Sequence, residues 1–274
     1  MTRRHLAAVC AACVLYGCDG TPGEPDTTDL LVVEAYLFAG EPVDDIRLTG
    51  TVPLSDTVEA PPVNDAQVAL LKNGIRYALV SSGDGYYRYA GADLAVLAGD
   101  TFRIEVARLE TLVTAQTVVP ESPVHVAVDG DTLWVPDFST GFGRPPSFDQ
   151  ERSQLAVTWD NPDQLLHFVV VEGPEDSAET IMPEEFPQVF GRFRFLTEPT
   201  SSEYYFINMM ALRYVGRHVV RVYRVNAEYA QLYENRMQDS RDLNEPPSNI
   251  VGGLGVFSAF NSDSAFFQVA RDGG

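Results

Sequence analysis

Gln67-Val68-Ala69-Leu70-Leu71-Lys72-Asn73-Gly74-Ile75-Arg76-Tyr77-Ala78-Leu79-Val80 is the stretch that decides the fold class. Two apolar runs of strand length flank Asn73-Gly74, and both turn residues tolerate positive φ, which the tightest hairpin turns demand. The flanks therefore pair as antiparallel strands. Outward from this hairpin the pattern repeats. Gly83-Asp84-Gly85 turns into Tyr86-Tyr87-Arg88-Tyr89, and Gly99-Asp100 turns into Thr101 to Val106. Thr111 to Val119 makes another strand closed by Pro120, and Leu30 to Phe38, an apolar run interrupted only by Glu34, is long enough for one strand buried on both faces or nearly so. Strands at roughly ten-residue spacing with turn chemistry between them predict an antiparallel sandwich.

Residues 30–122 thus read as one small β-sandwich, similar to prealbumin-like or immunoglobulin-like modules. Pro120-Glu121-Ser122-Pro123 marks its boundary, and residues 123–274 form a second unit. There, Gln154 to Trp159, the Asp160-Asn161-Pro162 turn and Leu166 to Val171 resemble fibronectin type III strands, whose buried Trp packs across a sheet. Tyr204 to Met210 and Arg217 to Val225 supply late strands. Asn226 then caps one short helix over 227–238, with Tyr229, Leu232, Tyr233 and Met237 on one face. The expected architecture is all-β: two consecutive sandwich units with one short helix near the C-terminus.

Composition narrows the function. The chain has 274 residues, 45% of them hydrophobic, enough to bury a core and exclude a disordered chain. Its 39 acidic side chains against 19 basic ones give a formal charge of −20, which argues against nucleic acid, whose phosphates are bound by Lys and Arg clusters. Lys72 is the only lysine. Arginine-favouring codons and an acidic surface adapted to salt both account for that balance.

The amino terminus is an address. Arg3 and Arg4 precede a short apolar run from Leu6 to Leu15, so residues 1–17 read as an export signal. Leu15-Tyr16-Gly17-Cys18 resembles a bacterial lipobox, with Tyr16 bulkier than the usual residue there. Cys10, Cys13 and Cys18 are the three cysteines, so the mature chain offers Cys18 no disulfide partner. Acyl chains on Cys18 would anchor the protein to a membrane, and residues 18–29 would serve as a flexible tether. An ordinary secretory signal that happens to contain cysteine is the alternative.

Near the C-terminus stands Asn244-Glu245-Pro246-Pro247-Ser248-Asn249-Ile250-Val251-Gly252-Gly253-Leu254-Gly255-Val256-Phe257. With Leu31-Val32-Val33-Glu34-Ala35-Tyr36-Leu37, the pattern from Ala66 to Tyr89, and Val119-Pro120, this string resembles a Bacteroidota outer-membrane lipoprotein family catalogued as domain of unknown function four-two-four-nine. The resemblance spans the mature chain. It implies a lipid-anchored outer-membrane protein facing the periplasm or the cell surface, often associated with a TonB-dependent receptor. It implies no catalytic residues. Asn249, Gly252, Gly253 and Gly255 then form a structural family-motif loop, the glycines permitting positive φ or close backbone approach. A phosphate cradle at Gly253-x-Gly255-x-x-Ser258 lacks the third glycine and precedes a strand pattern rather than a helix.

The chain offers little chemistry. His125, His167 and His218 are the mature histidines and stand far apart, with no His-Glu-x-x-His pair, no Gly-x-Ser-x-Gly elbow and no mature cysteine nucleophile. Asp129-Gly130-Asp131 supplies two acids to a calcium reading but lacks the remaining ligands of an EF-hand, and Asp-Gly is also ordinary turn chemistry. The expectation is a non-enzymatic protein with no cofactor and no bound metal. One feature opposes the overall charge: Arg192, Arg194, Arg213, Arg217, Arg221 and Arg224 face only Glu198 and Glu203 over 192–224. Arg217, Arg221 and Arg224 are candidates for an anionic-ligand or partner patch, with Arg217 and Arg221 sharing strand parity and Arg224 opposite. Pairing with the acidic loop 172–187 is the other reading. Two roles stay open: an accessory to an uptake barrel that binds a ligand or partner, and a structural or adhesive surface protein contacting matrix, glycan or envelope partners.

Overall fold

The computed structural model describes residues 30–52, 59–136, 152–174, 179–181, 195–234 and 248–272. Cys18 and the tether lie outside them, as do Arg192, Arg194, residues 175–178 and 182–187 of the acidic loop, and the helical residues expected from 235 to 238. Eight strands come first: β1 (Leu31–Phe38), β2 (Ile46–Gly50), β3 (Gln67–Lys72), β4 (Ile75–Ala78), β5 (Val80–Gly83), β6 (Tyr86–Arg88), β7 (Thr101–Arg108) and β8 (Thr111–Val118). After them run β9 (Val124–Val128), β10 (Thr132–Val135), β11 (Gln154–Asp160), β12 (His167–Glu172), β13 (Phe195–Leu196), β14 (Tyr204–Asn208), β15 (Gly216–Arg224), α1 (Ala227–Glu234) and β16 (Leu254–Arg271).

The hairpin closes as its sequence dictates. Asn73 and Gly74 take φ of 52° and 79°, and Lys72 pairs with Ile75 across a two-residue turn. The four-stranded sheet β4-β3-β7-β8 packs over β1, β2, β6 and the first part of β16. Their alternating apolar residues form one core, with Val33, Ile46, Leu70, Phe102, Ile104 and Phe257 fully buried. A second core, with Leu133, Val157, Val169, Ile207, Val220 and Val269, lies between the sheet β14-β11-β9 and the strands β12, β15, β16 and β10. Trp159 is buried in it, as the fibronectin-like pattern anticipates. Among the described residues the protein is all-β in sandwich-like layers with one short α-helix.

What joins the halves is β16. Its first part runs parallel to β1, with Val33 opposite Gly255, and its second part runs antiparallel to β15 and parallel to β10. One nine-stranded sheet therefore passes through both units. Odd-numbered residues of β16 enter both cores, Phe257 and Ala259 in the first and Phe267 and Val269 in the second. The parallel pairings depart from a purely antiparallel sandwich, and a division at 122/123 puts Ile250, Phe257 and Ala259 in the second unit although they pack in the first core. No local turn signal marks such a pairing, because its partners lie at opposite ends of the sequence.

The even-numbered side of the shared sheet is covered at its middle by α1. Tyr229 meets Phe260 edge-on at 4.8 Å, and Tyr36, Phe38, Phe168 and Tyr223 complete an aromatic cluster. Leu30 to Phe38 is accordingly not a doubly buried strand. Odd residues of β1 enter the core, Tyr36 and Phe38 lie partly under α1, and Glu34 is exposed.

Two histidines sit inside the second unit. His167 and His218 are buried, and Nδ1 of each donates to a backbone carbonyl, of Leu165 and Gly216 respectively, at 3.0 Å. Burial holds both imidazoles below their ordinary pKa, and the Arg224 charge adds to this at His167. The folded state thus keeps them neutral where the unfolded chain protonates, so stability falls as pH drops through about 6.5 and holds above it. Unfolding free energies from urea titrations between pH 7.5 and 5 should decline by up to about 1.4 kcal/mol per pH unit per histidine. His218→Gln should flatten the decline, and a profile already flat in the parent chain would contradict it.

Candidate functional site

Beyond the helix-covered cluster the same sheet face lies open among the described residues. Strand parity sends Arg217, Val219 and Arg221 of β15 outward, while His218, Val220 and Val222 go inward. Register sets Val219 beside Phe266, Arg221 beside Ser264 and Arg217 beside Gln268 on β16. On the other side, β12 sets Val170 beside Arg221 and Glu172 beside Val219. The result is a shelf with an apolar centre, Val219 and Phe266, and a guanidinium toward each end.

The guanidinium of Arg217 stacks 4.1 Å above the Phe266 ring. Phe266 is 52% exposed. This cation–π contact sets the charge over the ring. No carboxylate lies within ion-pair distance of Arg217 among the described residues, whereas Lys72, Arg76, Arg108, Arg152 and Arg271 each have an acid partner. Arg221 Nε reaches Glu172 Oε2 at 3.5 Å. That is one contact of the kind expected between the arginines and the acidic loop.

Arg224 is not part of this shelf. It faces the opposite side of the sheet beside His167 at the end of the second core, so the candidate patch contains two of its three expected arginines. Phe266 was missed by sequence reading. Its signal is the pair Phe266-Phe267 inside a strand, which must place one ring in the core and the other outside. Phe267 is the buried one, stacked on His218.

The family-motif loop lies elsewhere, where the first sandwich closes. Among the described residues, the edge of β16 opposite β1 has no strand neighbour over 254–260, and side chains satisfy it instead. Asn249 accepts from the Phe257 N–H at 2.9 Å and donates to the Phe257 carbonyl at 2.7 Å. Ser248 Oγ donates to Gly255 O, and Asn226 Nδ2 reaches Ala259 O and Val118 O. Asn249 Nδ2 also approaches Gln116 O of β8 at 3.4 Å, so the two amides bridge the sandwich's two sheets. Gly252 and Gly253 lie against the Leu112 and Leu31 carbonyls, and the glycine run leads into a strand rather than a helix. Asn226 works here as a sheet bridge, and α1 begins directly after it.

Asp129 accepts from the Ala156 N–H of β11 at 2.7 Å and its own N–H donates to the Ala156 carbonyl at 2.9 Å, so it ties the end of β9 to the neighbouring strand. No group of three or more His, Cys, Asp or Glu side chains suited to a metal gathers among the described residues. His125, at φ 57°, lies 2.6 Å from Asp160, both exposed.

A family described as "Domain of unknown function (DUF4249)" matches residues 20–265. No curated protein matches the chain. Among solved structures, the "Crystal structure of domains A168-A170 from titin" is similar at 10% identity and a TM-score of 0.21, over 86% of this chain and 62% of that one. The chain therefore spans less than two thirds of that structure's length.

Proposed function

We propose, for a chain that belongs to the family described as "Domain of unknown function (DUF4249)", the role of a lipid-anchored cell-envelope accessory that binds a ligand or partner and catalyses nothing. The observation that supports binding is the exposed Arg217–Phe266 pair on an open sheet face. Arg and aromatic residues are enriched at interfaces because they bring area and directed donors at little entropic cost. The envelope half of the proposal rests on Leu15-Tyr16-Gly17-Cys18 and the charged, apolar leader before it. Attachment to the outer membrane through Cys18, facing the periplasm or the cell surface, beside a TonB-dependent receptor, follows from the Bacteroidota lipoprotein resemblance.

Two measurements test it. Cells fed an alkyne-tagged palmitate should label the parent chain and leave Cys18→Ser unlabelled, and an equally labelled serine variant sinks the anchor. Extraction in mild detergent should bring a TonB-dependent receptor down with the chain, and its absence from the eluate counts against the uptake role. One observation favours an adhesive role instead. Tyr204 and Phe206, 51% and 47% exposed, form an edge-to-face pair on the outside of β14. Retention on envelope glycans with no receptor in the eluate would select that reading.

A further inference from the structure

We infer that the open half of the shared sheet binds an extended acidic segment of a partner polypeptide. Its carboxylates sit on Arg217 and Arg221, and an apolar side chain between them rests on Phe266 and Val219. The inference rests on the partner-binding role proposed above and adds the partner's chemistry.

Spacing is the first argument. Arg217 and Arg221 stand four residues apart on one face of β15, about 13 Å along the strand. An extended peptide has the same rise per residue, so acids at positions i and i+4 meet both guanidiniums while the residue at i+2 faces the apolar centre. Charge is the second. In a chain of net charge −20, carboxylates are the surplus group, yet Arg217 meets an aromatic ring and no acid among the described residues. Arg221 commits Nε to Glu172 at 3.5 Å, long for a charge-assisted bond, and a guanidinium carries five donors. The net charge repels an acidic partner at distance but is screened beyond about 8 Å at physiological salt. Recognition on this shelf is therefore by contact rather than by long-range steering.

A fluorescein-labelled peptide with aspartates four residues apart, leucine midway and glycine elsewhere tests this by anisotropy against the detergent-solubilised full chain. Saturable binding is expected. It should weaken at least tenfold with the double change Arg217→Glu and Arg221→Glu, and at least threefold with Phe266→Ser. Replacing the peptide's aspartates by asparagine should also weaken it tenfold, while Arg103→Glu on the other sheet should leave it unchanged. Far-UV spectra and melting midpoints, measured alongside, should stay at parent values. Absence of saturable binding, equal binding of the asparagine peptide, or a titration unmoved by charge reversal each overturns the inference. A lowered melting midpoint with an unmoved titration does so too, and assigns the arginines to intramolecular pairing. If a receptor copurifies equally with the charge-reversed chain, this inference falls and the accessory role stands.

Discussion

A chain carrying Gly255→Ala is expected to lose about 4 kcal/mol or more of folding stability, a large share of what a domain of ordinary stability has. Gly255 sits at φ +109°, a conformation L side chains rarely adopt, directly across from Val33. A Cβ there would overlap the Val33 carbonyl oxygen and lie 2.8 Å and 2.9 Å from that residue's carbonyl carbon and nitrogen. All three neighbours are backbone, so no rotamer change relieves the clash and β1 would have to separate from β16. Gly74→Ala is the matched control. Gly74 has φ +79° with nothing within 4 Å of an added Cβ, so it should cost only the conformational penalty of about 1 kcal/mol. Urea denaturation of the two variants separates the cases. Equal midpoints would mean that the close approach at Gly255 is readily relieved.

Asn249→Leu should be the most damaging polar substitution, at about 3 kcal/mol. The side chain is similar in size, yet it orphans both the N–H and the carbonyl of Phe257, whose residue is fully buried. Each unsatisfied buried group costs about 1–3 kcal/mol. Asn249→Asp keeps the acceptor for the Phe257 N–H but sets a carboxylate oxygen against the Phe257 carbonyl, so it should recover less than half of the loss. Amide exchange at Phe257 reads the effect locally. It should accelerate strongly in the leucine variant while the Val169 amide, in the other core, changes only as far as global stability does. A Phe257 amide that stays protected would show that the edge is closed by something other than Asn249.

The hairpin at Asn73-Gly74 was readable because its geometry is set by two residues and nothing distant. The strand over Thr111–Val118 was readable for the same reason, since Pro120 closes it. Strand β16 was not. Where one core gives way to the other stands Asn261-Ser262-Asp263-Ser264, which reads locally as a turn yet continues the strand, and its partners β1 and β15 are chosen by packing rather than by local preference. Asn249 stood out as part of a distinctive string, but which backbone it serves depends on a sheet edge that only the assembled fold defines. The shelf was half legible. Alternation put Arg217 and Arg221 on one side and Arg224 on the other, whereas the ring beneath Arg217 comes from a strand paired only in three dimensions.

A ribosome delivers Val33 long before Gly255, yet these two residues face each other in register. The first sandwich therefore waits, with one side unfinished, until residues 254–260 emerge, and the second until residues 261–269 do. Neither half can be made in advance as an independent module, and a break in translation shortly before residue 254 spoils both. Such a polypeptide folds slowly, as pairings distant along the sequence do. Until β16 is available neither core can close.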